Sequence, residues 1–256
     1  MTWVMGCAPS ARVSRKKDSR NGCHLRGTAR QHEQAKGDPS ILQISIDTKA
    51  SVAIGPFSRG GRSRVTVKAA DHDFKPETHV IPFGIFLPDY GETYLYFTSS
   101  KVTSDCMVDC LVHFWQTVRQ RFPQVTTLLI NQDNGPENPT RRTQFIQRLV
   151  EFVDTFRLTV QLACYPPYHS KYNPIERVWG GLEQHWNGSL LDTIDATLNF
   201  ARTLIWRGRH PGVPWLTKTY HTGVRLTQAA MRHLEHRLDR LPTLPKWFVP
   251  IAPLPL

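Results

Sequence analysis

The chain has 256 residues, of which 40% are hydrophobic, and this is sufficient for one substantial core with appended segments. No stretch reaches the roughly 18 consecutive apolar residues that a membrane span requires, and the N-terminus lacks the apolar run of a secretory signal. We therefore expect a cytoplasmic protein without a membrane partner. The 5 cysteines include no CxxC pair, which argues against a disulfide framework and against a zinc site.

The positive charge of the chain is concentrated near its N-terminus. The net charge of +11 favours a polyanionic partner, although it also fits an ordinary soluble basic protein. Residues 1–37 hold eight Lys or Arg against two acidic residues, so they supply +6 of that charge. Because the segment lacks apolar periodicity, we interpret residues 1–39 as a basic, disordered arm. Its charge either binds nucleic acid or is simply solvated, and the sequence favours neither.

From residue 41 onward, short β-rich runs separated by turn residues predict a meander of antiparallel strands. These runs are ILQISID (41–47), SVAIGPF (51–57), RVTVKAA (64–70), THVIPFGIFLP (78–88) and ETYLYFT (92–98).

Helices and buried strands then alternate. Residues 104–123 and 141–156 have helical apolar spacing, whereas VTTLLINQD (125–133) and LTVQLAC (158–164) are typical of buried strands. A further helix follows PPYHSKYNP, and right-handed crossovers would make the later strands parallel. This order predicts a mixed sheet with helices packed on it. Cys106 and Cys110, one helical turn apart, are interpreted as packing residues rather than metal ligands.

Three carboxylates occupy the ends of these predicted elements. Asp47 ends the first strand, Asp133 ends VTTLLINQD, and Glu176 lies in the first turn of the helix after PPYHSKYNP. Each has an ordinary explanation, because Asp is common in turns and an acid at a helix N-terminus is stabilised by the helix dipole, here with Asn173 as the expected N-cap. The ends of neighbouring parallel strands, however, share the sheet edge where ligands bind. The joint placement therefore favours one acidic site.

Motifs around these acids carry a family resemblance over roughly residues 40–252. They are SIDTKA, DHDF (71–74), IPFGIF (81–86), LLINQDNGPEN, YPPYHSKYNPIERVWGG and the closing KWFVPIAP. In these motifs the chain resembles the catalytic domain of the ISAzo13-type insertion-sequence transposases, which belong to the DDE superfamily. The resemblance implies an α/β, RNase H-like fold, in which a mixed sheet with an antiparallel meander followed by parallel strands is flanked by helices. Residues 40–188 would form the catalytic core, and residues 189–256 a C-terminal helical extension with a Pro-rich tail.

The resemblance also implies metal-dependent DNA cleavage and strand transfer, with Asp47, Asp133 and Glu176 as catalytic residues and metal ligands. Phosphoryl transfer of this kind uses two ions, one for the attacking oxygen and one for the leaving oxygen. Carboxylates suit Mg²⁺ (or Mn²⁺), which prefers oxygen ligands. The expected partners are transposon ends and target DNA, and the active protein is expected to be a homo-oligomer.

Five further residues are candidate DNA contacts. His72, His169 and Lys171 could contact the scissile phosphate, and Arg141 and Arg142 could follow the DNA backbone through salt-sensitive contacts. For each, a structural histidine or a solvated surface charge is the more ordinary interpretation.

Two other functions stay open at this point. Family members carry a helical DNA-binding region before the first Asp, whereas only about forty residues precede Asp47 here, so we expect an N-terminally truncated copy. Such a copy could be an inactive remnant that binds DNA without cutting it. Alternatively, the chain could be an RNase H-like nuclease that acts on structured nucleic acid.

Overall fold

A computed structural model describes residues 37–57, 76, 78–133, 143–165, 173–224, 226–238 and 248–255. The five candidate DNA contacts lie outside the described residues; they are His72, Arg141, Arg142, His169 and Lys171. The predicted strand 64–70 and nearly all of the predicted basic arm also lie outside them.

Apart from the short strands β7 and β8, which the sequence did not predict, the strands and helices follow one another in the predicted order. The strands are β1 (Ile41–Thr48), β2 (Val52–Ile54), β3 (Thr78–Leu87), β4 (Glu92–Thr98), β5 (Thr127–Asp133), β6 (Thr159–Tyr165), β7 (Trp215–Leu216) and β8 (Phe248–Ile251). The helices are α1 (Ser104–Val118), α2 (Thr143–Phe156), α3 (Ile175–Trp186), α4 (Ile194–Thr203) and α5 (Gln228–Glu235). None of the helices in the described ranges has the length and apolar composition needed to cross a bilayer.

The strands form one mixed sheet in the order β7-β4-β3-β1-β5-β6-β8, with β2 paired to β3. Neighbours among β1, β3 and β4 are antiparallel, whereas β5 is parallel to β1 and β6 is parallel to β5. This arrangement confirms the predicted RNase H-like sheet of antiparallel strands followed by parallel strands. The C-terminal part of the chain adds β7 beside β4 and β8 beside β6. The division of the chain at residues 39 and 188 stays a prediction.

Helices cover both faces of the sheet. On one face, α1 and α2 pack against a core that includes Ile44 and Ile130, and Cys106 and Cys110 are fully buried there, which confirms their packing role. On the other face, α3 and α4 pack against a second core around Phe86. Because strand side chains alternate between faces, Asp47 points toward the α3 side.

Gly84 allows α3 to lie directly against the sheet. A Cβ atom at this position would be 2.5 Å from Ile175 Cδ1 and 2.7 Å from the ring of Trp179. Gly84 is paired with Asp47 in the antiparallel register of β1 and β3. Because Gly84 has no side chain, α3 can lie close to the strand position that carries Asp47.

Replacement of Gly84 by Ala is expected to lower the free energy of unfolding by about 1–3 kcal/mol, because the new methyl group overpacks the contact with α3. Gly180→Ala is the matched control, since a Cβ at Gly180 meets nothing within 4 Å. That change should stabilise the protein by up to about 1 kcal/mol through helix propensity. Urea unfolding followed by circular dichroism measures both values. Equal effects of the two substitutions would contradict the close approach of α3 at Gly84.

Candidate active site

Asp47 and Asp133 lie near the ends of two neighbouring parallel strands. The register of β1 and β5 pairs Ser45 with Asn131, and each acid lies two residues further along its own strand. Since the side-chain period of a strand is two residues, both acids point to the same face of the sheet, just beyond the paired stretch, in which the strands are about 4.8 Å apart. Asp47 is only 9% exposed, and Asp133 is half-buried.

The start of α3 is attached to β1 by buried polar groups. The predicted N-cap role of Asn173 is wrong: Pro174 occupies the cap position, and no side-chain hydrogen bond caps the helix there. Instead, the Ser45 hydroxyl donates to Oδ1 of Asn173, whose amide donates to the Ile46 carbonyl at 2.9 Å. The same Ser45 oxygen accepts a hydrogen bond from the backbone N–H of Ile175 at 3.1 Å. A strand residue thus satisfies the helix terminus that carries the third acid.

Glu176, the third acid, is half-buried in the first turn of α3. Two further contacts join its helix to the end of β1. Nε1 of Trp179 donates to Oδ2 of Asp47 at 2.9 Å, and Nζ of Lys49 pairs with Oε1 of Glu183 at 2.6 Å. The helix is therefore held beside Asp47 along much of its length.

The three predicted carboxylates interact electrostatically. Burial and then the negative charges of Asp133 and Glu176 raise the pKa of Asp47 to about 7, whereas the hydrogen bonds from Trp179 and the Thr48 backbone act in the opposite direction. Like charges that share a site disfavour ionisation in this way. The structure therefore brings Asp133 and Glu176 within electrostatic reach of Asp47, although they lie 86 and 129 positions after it in the sequence.

The donor chemistry of these acids fits hard divalent ions. Carboxylate oxygens are the ligands that Mg²⁺ and Mn²⁺ prefer. Within the described ranges, no group of three or more His, Cys, Asp or Glu side chains is arranged so that it could hold a metal ion. Mg²⁺ at phosphate-processing sites is commonly bound through one or two carboxylates, with water and substrate phosphate as the other ligands. Asp47, Asp133 and Glu176 suit this partial type of coordination.

Sequence reasoning missed three residues that support the acids. Ser45 lies two residues before Asp47, on the same face of the strand. Trp179 lies three residues after Glu176, on the same side of the helix. Gly84 is paired with Asp47 on the neighbouring strand β3. The first two could have been found from the strand and helix periods. The third could not, because strand pairing has to be known first.

A cavity of about 440 Å³ lies away from these acids. It is bordered by Glu92, which pairs with Leu87 at the end of β3, three residues after Gly84, the partner of Asp47. Arg121 and Arg209 line the cavity and bind Glu92, and the hydrogen bonds from Arg121 together with both positive charges lower the pKa of Glu92. The charges of this cavity are largely paired within the protein, so we assign it a structural role.

The chain matches the family model described as "Rhodopirellula transposase DDE domain" over residues 14–253. The match begins at residue 14 rather than near residue 40, so it extends into the predicted arm. No curated protein matches the chain.

Solved structures of Mos1 transposase share part of the architecture. The Mos1 transposase paired-end complex with the left transposon end is 10% identical, with a TM-score of 0.49, and the match covers 78% of this chain and 57% of that one. The Mos1 mariner paired end complex with Mn has the same identity and TM-score, with 78% and 58% covered. The chain thus spans less than two thirds of the length of these proteins.

Without divalent ions, Asp47→Asn is expected to stabilise the fold at pH 8 by about 2–4 kcal/mol, because it removes a buried negative charge but retains an acceptor for Trp179. The folded state binds a proton at Asp47 more tightly than the unfolded chain does. The contribution of Asp47 to the stability of the wild-type protein is therefore fully present at low pH, and it is lost as the pH rises from about 4 through 7. The difference between the two proteins should shrink at pH 5.

Urea unfolding in EDTA at pH 5 and pH 8 measures this difference. Asp89→Asn, in an exposed turn, is the matched control for the removal of a carboxylate. If wild type and Asp47→Asn differ in stability by the same amount at pH 5 and pH 8, burial and the neighbouring acids do not raise the pKa of Asp47.

Proposed function

Because the chain belongs to the Rhodopirellula transposase DDE domain family, we propose that it performs metal-dependent DNA cleavage and strand transfer in the transposition of an insertion sequence. The observation that supports this most directly is the effect of Asp133 and Glu176 on the ionisation of buried Asp47. A protein gains no stability from gathering three acids in this way. A site that binds cations and phosphates explains the arrangement better than a structural role does.

Asp47, Asp133 and Glu176 would hold two Mg²⁺ or Mn²⁺ ions in this proposal. Such ions, when bound, activate an attacking water or 3′-hydroxyl and stabilise the leaving oxygen of the phosphodiester. The role of the protein's own residues is to keep the acids ionised and oriented. Trp179 and the Thr48 backbone N–H do so at Asp47, because both donate hydrogen bonds to its carboxylate.

DNA is the proposed substrate, as both transposon end and target. The net charge of +11 supports association with a polyanion. We retain His72, His169, Lys171, Arg141 and Arg142 as proposed DNA contacts, and a homo-oligomer as the proposed active form.

The proposal predicts that the purified chain nicks and joins DNA carrying the terminal repeats of its element, and that this activity requires Mg²⁺ or Mn²⁺. Asp47→Asn, Asp133→Asn and Glu176→Gln should each lower the rate by more than about 100-fold, since even partners that only support a metal ligand are worth 10–100-fold. Gel assays of nicked and joined products measure the rates. Asp89→Asn, away from the acids, should retain full activity.

Three outcomes separate this function from its alternatives. Salt-sensitive DNA binding without cleavage at any ion concentration would support an inactive remnant. Faster cleavage of RNA–DNA hybrids or branched DNA than of terminal repeats would support an RNase H-like nuclease. Full activity of Asp47→Asn or Glu176→Gln, with folding confirmed by circular dichroism, would remove those residues from the catalytic set.

A further inference from the structure

The indole of Trp179 connects the helix of one proposed metal ligand to the strand of another. Trp179 lies three residues after Glu176 on α3, so both side chains leave the helix on the same side. Its Nε1–H donates a 2.9 Å hydrogen bond to Oδ2 of Asp47, and the residue is only 4% exposed. This contact therefore lies within the carboxylate site.

Packing holds the indole ring in place. The ring lies over Gly84, where a Cβ atom would approach two ring atoms to 2.7 Å, and Ile175 packs over the same glycine. Gly84 is the sheet partner of Asp47. A ring enclosed in this way has little room to rotate, so the direction of its N–H is set by the fold.

An Asp carboxylate needs such a partner to have a defined plane. The torsion that turns the carboxylate is broad, whereas an indole N–H is a donor with a single direction. Here the Trp179 N–H donates to one of the two carboxylate oxygens, Oδ2, and the backbone N–H of Thr48 also donates to the carboxylate. The orientation of the acid is thus decided by protein groups rather than by solvent.

We propose that Trp179 is a positioning residue of the metal site: its N–H sets the plane of the Asp47 carboxylate, and its ring, packed over Gly84 of β3, sets the spacing between α3 and the sheet. This inference rests on the proposed function, in which both acids bind divalent ions. Groups that hydrogen-bond a metal ligand typically change metal affinity 10–100-fold. Trp179 acts through Asp47 and does not itself bind the ion.

The test is the affinity for Mn²⁺, measured by electron paramagnetic resonance of the free ion during titration. Trp179→Phe removes the N–H but keeps an aromatic ring, and it should raise the dissociation constant by about 10-fold. Trp186→Phe is the matched control. Trp186 is fully buried on the same helix and donates its own N–H to Glu183 at 2.7 Å, so the chemical change is the same. The control should leave the dissociation constant for Mn²⁺ unchanged.

A second variant separates the hydrogen bond from the packing. Replacement of Trp179 by 3-benzothienylalanine keeps the bicyclic shape and exchanges the N–H for sulfur, so it tests the donor even if Trp179→Phe does not fold. An affinity loss in this variant supports the proposal. Wild-type affinity in the folded variant overturns it, and so does an equal loss in Trp186→Phe. Absence of Mn²⁺ binding by the wild type, with or without DNA, would instead overturn the proposed function and this inference together.

Discussion

The attachment of α3 to β1 is the interaction on which the candidate site depends. Ser45 and Asn173 are almost fully buried, and their side chains bond to each other and to the backbone groups around them. Buried polar groups of this kind are costly to leave unpaired, so breaking any one of these hydrogen bonds would leave a buried group without its partner. The network therefore positions the helix that carries Glu176 on the strand that carries Asp47.

The acids themselves oppose folding. Asp47 is buried beside two like charges, and its raised pKa expresses the free energy that this placement costs. The surrounding structure offsets the cost, because apolar cores cover both faces of the sheet and helices α3 and α4 pack on the side of the acids. Functional sites commonly retain destabilising groups in this way, supported by stability elsewhere.

Apolar periodicity was sufficient to predict the order of the main strands and helices, because it depends only on the local geometry of each element. The shortest strands lack this signal. β7 has two residues and β8 has four, so neither shows a recognisable period, and each exists because it pairs with an edge of the sheet. Asn173 illustrates a different failure. An Asn before Pro at a helix start favours an N-cap, but Ser45 and the Ile46 carbonyl bind its side chain instead.

By itself the sequence determined the family and the alternation of elements, and it singled out three acids as candidates, since these follow from motifs and from residues that end strands or begin helices. Only the tertiary structure decided how the acids are supported. The hydrogen bonds of Ser45 with Asn173 and of Trp179 with Asp47 join residues 128 and 132 positions apart. Contacts over such separations depend on strand register and on the seating of α3 over Gly84. No local sequence pattern predicts these contacts, because each of the residues involved is compatible with many other environments.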